Sequence, residues 1–464
     1  MEKKSERSRK ETKRIRGADR RKKKVIKVKD FVTKPRHHKY SVGHAKLFIE
    51  MALDAISLRG TSRAVKKVAS ALQLPLEFPE WHTGRLWLLR LGYYELHRQK
   101  EKADDWIWIV DHTIQIGSTK CFVILGIRLK DLPQPGQSIG LQDVELIALE
   151  PVDKSNSEIV LKQLEETIEK TGIPRLIVAD HGPDLKAGIE KFCQKHQEVD
   201  YVYDVKHKTA RILKCEFEEN EKWVEFIKKA THTKHKLQRS SLAHLVPPNQ
   251  RSKARYMNID VLVRWGGDML AFFDEEQNKN STEYDKEELQ EKLGWITFFR
   301  QSISEWQEIV LATDLTENFV RKQGLYLGAE LQLQKLLDSG IHNEQAKEVC
   351  GKLIEFVKQE SSKAKNEERL LGSSEVIESL LGKLKYLEND QAKSGFTSLI
   401  LSIGALVSST ASDVIQNALE SVSTQKIQDW RQKMLGDSVQ AKRKRALNAH
   451  RKTEEKWNHL FSPI

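Results

Sequence analysis

The chain has 464 residues, of which 39% are hydrophobic and 31% charged. That length allows roughly two to four domains, and the apolar share is enough for real cores, so wholesale disorder is excluded. Four widely spaced cysteines (Cys121, Cys193, Cys215, Cys350) form no CxxC pair, which argues against a disulfide scaffold or a zinc finger and for a reducing cytoplasm. The first forty residues are charged rather than apolar, and the longest apolar stretch, 396–407, is short and broken by Ser398, Ser402 and Gly404. A soluble protein with no signal peptide and no membrane span is therefore expected.

The formal net charge of +12 is concentrated at one end: residues 1–39 hold 18 Lys and Arg against 5 Asp and Glu, and the remainder is close to neutral. Such a block cannot bury itself and reads as a solvated arm attracted to a polyanion. It has no acylation motif and no amphipathic face, which favours nucleic acid over an anionic membrane; a plain solubility tail is the alternative.

After the arm, apolar periodicity predicts helices over 45–56, 64–72 and 80–94. Gly60-Thr61-Ser62 separates the first two, with Ser62 as N-cap of the second, and Pro79 opens the third. Three short helices with tight turns fit a helix-turn-helix unit over 40–100, or a small helical bundle without a DNA role. The adjoining arm and the cations Arg63, Lys66, Lys67, Arg85 and Arg90 tip the reading toward DNA binding. Arg85 is expected to be exposed, while Trp87, Leu88 and Leu91 form an apolar stripe that packs inward.

From residue 105 the pattern changes. Segments 106–113 (WIWIVDHT) and 120–129 (KCFVILGIRL) are β-branched, aromatic and short, as strands are; 141–151 is a third strand. A helix over 156–171, a buried strand over 176–179, a helix over 185–195 and a strand over 201–204 follow. The order β-β-β-α-β-α-β predicts a mixed sheet with helices packed on it. Residues 217–369 read as helical, with breaks at Pro247-Pro248 and Gly266-Gly267; a helix over 375–387 and an apolar helical stretch over 396–419 follow. The tail, 426–464, is basic again and would be a solvated helix face or a DNA contact.

Two carboxylates stand out. Asp111 follows five residues where a charge is expensive, and Asp180 ends the strand LIVAD before a His-Gly-Pro turn. Strand ends opening into loops present catalytic groups in α/β sheets, although Asp is common there for local reasons too. A pair of such residues in one sheet suits a magnesium site for phosphoryl transfer, in which two ions ~4 Å apart clamp the attacking and leaving oxygens. That chemistry needs a third carboxylate from later in the chain, and pattern alone does not choose among the Glu residues.

The order of elements, with Asp on the first and fourth strands, resembles the RNase H-like core of DDE transposases of bacterial insertion sequences. The helical insertion resembles that of Mutator-like and related elements. The segment GSSEVIESLLGKLK (372–385) looks like their third-acid signature, Glu followed by Ser with a cation two turns on: Glu378-Ser379 and Lys385 match, whereas Glu375 would place Gly382 there. Asp204-Val205-Lys206-His207 resembles the C/D-x-x-H motif of such families, which implies a role for Asp204 and His207 near the active site or transposon end. His112 and His181 follow the two Asp residues directly, and neighbouring strand residues point to opposite faces, so both are expected to be structural.

The resemblance thus implies a basic arm (1–39), a helix-turn-helix domain (40–100), an α/β RNase H-like core in two parts (105–215 and 371–425) split by an all-α insertion (216–370), and a basic tail (426–464). It implies a DNA transposase in which Asp111, Asp180 and Glu378 hold two Mg²⁺, with Mn²⁺ as substitute, and Lys385 contacts phosphate as a point charge. Arg85, Lys66 and Lys67 would contact DNA. The partners implied are double-stranded DNA at transposon ends and target, and a second copy of the chain in the synaptic assembly; the location implied is the nucleoid. An RNase H-fold nuclease or resolvase without strand transfer, or an inactive DNA-binding regulator, is the alternative.

Overall fold

The computed structural model describes residues 27–437, apart from 55, 72, 74–76, 117–118, 250–258, 280–283 and 390–396, and residues 441–448. Most of the basic arm (1–26) and the end of the basic tail (449–464) therefore lie outside the described residues.

Four helices come first: α1 (Val28–Val32), α2 (Val42–Leu53), α3 (Leu58–Ala71) and α4 (Trp81–His97). The sequence signal for the start of α3 was misplaced. Ser57 accepts the N–H of Gly60 (2.9 Å) and caps the helix, while Ser62 is buried within it and donates to the Pro79 carbonyl (2.8 Å). Gly60 and Ser62 look like a break in sequence, but a hydroxyl with a partner in the next loop is tolerated inside a helix. Trp87, Leu88 and Leu91 form the expected buried stripe of α4.

The sheet has five strands, β1 (Trp106–Ile116), β2 (Thr119–Arg128), β3 (Glu145–Val152), β4 (Leu176–Ala179) and β5 (Asp200–Tyr203), in the order β3-β2-β1-β4-β5. β1, β2 and β3 are antiparallel neighbours, and β4 and β5 run parallel to β1. Helices α5 (Ser157–Thr171) and α6 (Pro183–Lys195) connect the parallel strands. Asn156 caps α5 by accepting the Ile159 N–H (2.9 Å), and Pro183 occupies the first turn of α6, where its missing donor is no loss. β3 starts four residues later than its apolar run suggests, because Leu141–Val144 is occupied by a turn.

Both faces of the sheet are buried, which is why β1, β2 and β4 read as continuous apolar runs. Trp106, Trp108 and Val110 pack with Val160, Leu164, Leu185, Ile189 and Phe192 of α5 and α6. Ile107 and Ile109 point the other way, into a core shared with the N-terminal helices and later elements.

Helices α7 (Val205–Phe217), α8 (Glu221–Leu237), α9 (Ile259–Asn278), α10 (Lys286–Leu293), α11 (Arg300–Gln323), α12 (Ala329–Asp338) and α13 (Glu344–Ser361) form the helical region. Trp223, Phe226, Phe299 and Trp306 pack ring against ring within it, Trp223 stacked on Phe226 and edge-on to Trp306. The break expected at Gly266-Gly267 is not there: both lie inside α9. A Cβ on Gly266 would come within 3.0 Å of the Phe226 ring, so the glycine serves close helix packing instead. Leu325 and Leu370 pair backbone to backbone where the region rejoins the core, and Arg175 at the start of β4 donates to Glu368 (2.7 Å).

Beyond the helical region come α14 (Glu375–Asn389), α15 (Ser402–Val407), α16 (Ser412–Ser421) and α17 (Thr424–Leu435), so the single apolar stretch expected over 396–419 is divided at Ser408–Thr410. α4 crosses α15 at a pair of glycines: a Cβ on Gly92 would lie 1.7 Å from the Leu401 carbonyl oxygen, and one on Gly404 2.4 Å from that of Gly92. Among the described residues no helix is long and apolar enough to cross a membrane.

Candidate active site

The last register pair between the parallel strands β1 and β4 is Val110 with Ala179. Asp111 and Asp180 are the next residues of each chain segment, side by side at a strand spacing of about 4.8 Å. Alternation puts both on the face of Ile107, Ile109, Leu176 and Val178. The Asp180 carboxylate accepts the Gly182 N–H (3.1 Å), and its carbonyl accepts from the Tyr201 hydroxyl (2.5 Å), which fixes the turn into α6. Burial, and then the charge of Asp180 beside it, pushes the Asp111 carboxyl up from 3.8 to about 7; Glu378 adds to the effect and His207 works against it.

Glu378 lies in the first turn of α14, where the helix dipole favours an acid. Its carboxylate is held 2.5 Å from Lys206 Nζ, a side chain at the start of α7. Glu375, one turn earlier, is turned to the helical region and is clamped by Arg321 Nη1 at 3.0 and 2.8 Å. Of the two acids at the head of α14, then, only Glu378 acts electrostatically on Asp111 among the principal influences on that carboxyl.

Asp204 and His207 divide their work. Asp204 is 1% exposed and caps α7 by accepting the His207 N–H (2.9 Å). Its other oxygen accepts both the N–H (2.6 Å) and the hydroxyl (3.0 Å) of Ser374. The Val205 N–H donates to the Gly372 carbonyl (3.0 Å). Asp204 is thus a clamp between the end of β5 and the lead-in to α14, and it sets where Glu378 stands. His207 is close enough to Asp111 to favour its ionised form.

The two histidines beside the aspartates do not join the cluster. His112 points to the opposite sheet face, 3.1 Å from the Ser155 hydroxyl and 3.8 Å from Asp184. His181 stacks flat on Tyr203 (3.6 Å between ring centroids) and is held neutral, down at about 4, by burial and then by Lys186, Lys363, Arg211 and Lys208.

The expected DNA contacts are scattered. Lys385 is exposed on α14, and Lys67 is exposed on α3, where Lys66 pairs with Glu80. Arg85 departs from expectation. It is half-buried, with its guanidinium donating to the Ser398 hydroxyl (2.9 Å), because α4 packs against the C-terminal helices and that face is not free. Sequence reasoning missed Lys206, Ser374 and Arg321. Lys206 sits inside the Asp204–His207 motif, but nothing in the motif says that its ammonium would reach an acid 172 positions away.

The donor set at Asp111, Asp180 and Glu378 is all carboxylate oxygen, the chemistry Mg²⁺ or Mn²⁺ takes. Burial and the neighbouring Asp180 raise the proton affinity of Asp111, the environment in which a bound cation would favour the ionised form. Among the described residues, however, no three His, Cys, Asp or Glu side chains stand together closely enough to hold one ion. Glu378 is engaged instead in its ion pair with Lys206.

No protein-family profile matches the chain, and no curated protein matches it in sequence. Among solved structures, the chain is similar to that of the Drosophila P element transposase strand transfer complex, at 11% identity, a TM-score of 0.35, and coverage of 84% of this chain and 94% of that one. At that level of likeness the functional argument rests on the site itself.

Proposed function

We propose that this chain is a DNA transposase of the DDE type, with an RNase H-like core and metal-dependent phosphoryl transfer as its reaction. The observation that carries the reading is the pair Asp111 and Asp180 on adjacent parallel strands, with Asp111 driven up to about 7 and Glu378 close by on α14. The strand order β3-β2-β1-β4-β5 supports the fold part of the reading, and the all-helical region between α7 and α14 supports the split-core arrangement.

In this reading Asp111, Asp180 and Glu378 would hold the metal, Glu378 giving up its ion pair with Lys206. Bound Mg²⁺ would supply an activated water or 3′-hydroxyl nucleophile and neutralise charge on the leaving oxygen. The chain's part is positional. β1 and the end of β4 position the aspartates, and the Asp204–Ser374 clamp holds the head of α14. Lys385 and the basic arm would engage the DNA backbone, and a second copy of the chain would be needed to join two ends.

The test is strand cleavage and joining on the element's own terminal DNA with Mg²⁺. Asp111→Ala, Asp180→Ala and Glu378→Ala should each abolish both steps with circular dichroism unchanged. Glu375→Ala should retain activity, since its partner is Arg321. Released nicked strands without joined product would instead identify a nuclease. Full activity in Glu378→Ala beside a dead Glu375→Ala would move the third acid by one turn.

A further inference from the structure

A cavity of about 470 Å³, lined by none of the three carboxylates, lies between the loop before α2, one side of α4 and the turn joining α16 to α17. Its walls include Arg36, Lys39 and Arg90, with His38 between them. Glu420 is the one acid on its wall among the described residues, and it accepts the Arg36 backbone N–H (3.1 Å). Lys39 has an exposed partner outside the wall, Glu77, at 2.6 Å. The wall is therefore net positive by its formal charges.

Arg90 is the informative residue. It is half-buried, no carboxylate pairs with it among the described residues, and its Nε is buried without an acceptor. Its Nη1 stands 2.9 Å from Nε2 of His38, and that same ring nitrogen is 3.1 Å from the Leu419 carbonyl. One nitrogen cannot donate to a carbonyl and accept from a guanidinium at once. If it serves Leu419, Arg90 lacks an acceptor at both Nη1 and Nε. If it serves Arg90, the buried Nε still lacks one. The site has donors to spare, and a half-buried guanidinium without an acceptor is an expensive arrangement.

The N-terminus of the twelve-residue helix α17 opens at the same place, with Ser423 as its cap and both Ser423 and Thr424 on the cavity wall. Ser423 accepts the Lys426 N–H (3.2 Å), and the helix dipole adds to the positive field. A guanidinium fork, two further cations and a helix N-terminus around one opening suit a multiply charged tetrahedral oxyanion better than a single carboxylate.

We infer that this cavity is a phosphate-binding site, seated on Arg90 and Arg36 and separate from the carboxylate cluster. The shared chemistry is a phosphate group, carried either by a nucleic-acid strand or by a small free phosphate. Tyr40, partly exposed on the wall, gives an attached group an aromatic ring to lie against.

Calorimetric titration of the full chain tests this, with chelator present so that no probe enters through a metal at Asp111. The probes are inorganic pyrophosphate, a short 5′-phosphorylated oligonucleotide and its unphosphorylated twin. Saturable binding is expected, reduced ~tenfold or more in Arg90→Met, the equivalent of one charge-assisted hydrogen-bond pair. Arg36→Ala, an exposed position that does not endanger folding, should weaken binding in the same direction and decides the matter if Arg90→Met unfolds. Preference for the phosphorylated oligonucleotide assigns the site to a nucleic-acid end; binding of pyrophosphate alone assigns it to a small ligand. No binding by any probe, or binding unchanged in both variants, overturns the inference. A failure here leaves the catalytic reading intact, since that reading makes no use of this cavity.

Discussion

At Asp111 the burial of a carboxyl beside a second one has a thermodynamic signature. Its carboxyl sits near 7 in the folded chain against 3.8 as the reference, for burial first and Asp180 second. Between those two values the folded state binds more protons than the unfolded one, so this group makes stability fall as pH rises from about 4 through about 7. At ~1.4 kcal/mol per pKa unit the loss is a few kcal/mol. In metal-free buffer, Asp111→Asn should therefore melt higher than the parent at pH 8 and close to it at pH 4. Equal melting shifts at both pH values would show that Asp111 is not held protonated by its neighbours. Lys206 gives the second prediction. It holds Glu378 by a half-exposed ion pair, and such pairs are worth up to ~1 kcal/mol. Lys206→Met should thus bind Mn²⁺ about two- to fivefold more tightly than the parent, measured by calorimetry, while Glu378→Gln should bind it more weakly. Weaker binding in Lys206→Met would make the lysine a support for the site rather than a competitor for its third acid. Neither residue's state was legible in sequence. Asp111 could be singled out from the apolar run before it, but its proton affinity depends on Asp180, 69 positions on, and the Lys206 contact depends on how α7 and α14 meet.

The elements that sequence reveals are those whose own residues decide them. β4 reads from LIVA because both faces of the sheet are covered, so every residue is apolar. Asn156 announces α5 because the cap is local, three residues from its partner. Signals fail where a small residue serves a neighbour instead of its own backbone. Gly266 looks like a break but makes room for Phe226, and Ser62 looks like a cap but bonds to Pro79. Arg85 fails in the same way, since only the docking of α4 on the C-terminal helices brings Ser398 to it. The crossing of α4 and α15 is the sharpest case, and it carries a prediction. A methyl group at Gly92 would meet the Leu401 carbonyl at 1.7 Å, backbone against backbone, with no flexible side chain to move aside. Gly92→Ala should lower stability by ~1–3 kcal/mol, the usual penalty of overpacking, seen as a lower urea midpoint. Gly382→Ala, an exposed position on α14 with open space around it, should do no harm and serves as the control.

On the scale of the whole molecule, the positive charge is concentrated at one end of the sequence while the rest stays near neutral. Residues 1–26 carry 13 Lys and Arg against 4 Asp and Glu, and they end just before the ordered helix α1. α1 belongs to the folded body: Phe31 meets the His44 ring edge-on at 5.3 Å and lies against Gly43, where a Cβ would come within 2.9 Å of it. The arm therefore has two truncation points with different consequences. Removing residues 1–26 should weaken binding to every DNA sequence by a similar factor and flatten the dependence on salt, since each phosphate neutralised contributes a slope of about −0.9. The melting temperature should not change. Removing residues 1–39 should lower DNA affinity further and also destabilise the fold by ~1–3 kcal/mol, the burial of one large aromatic. That cut also takes away Arg36 and Lys39 from the cavity beside Arg90. Salt titrations by fluorescence anisotropy, paired with thermal melts of the same two truncations, separate the effects. An unchanged salt slope in the shorter truncation would refute an electrostatic arm, and a change in sequence preference without a change in slope would mean that the arm reads bases instead.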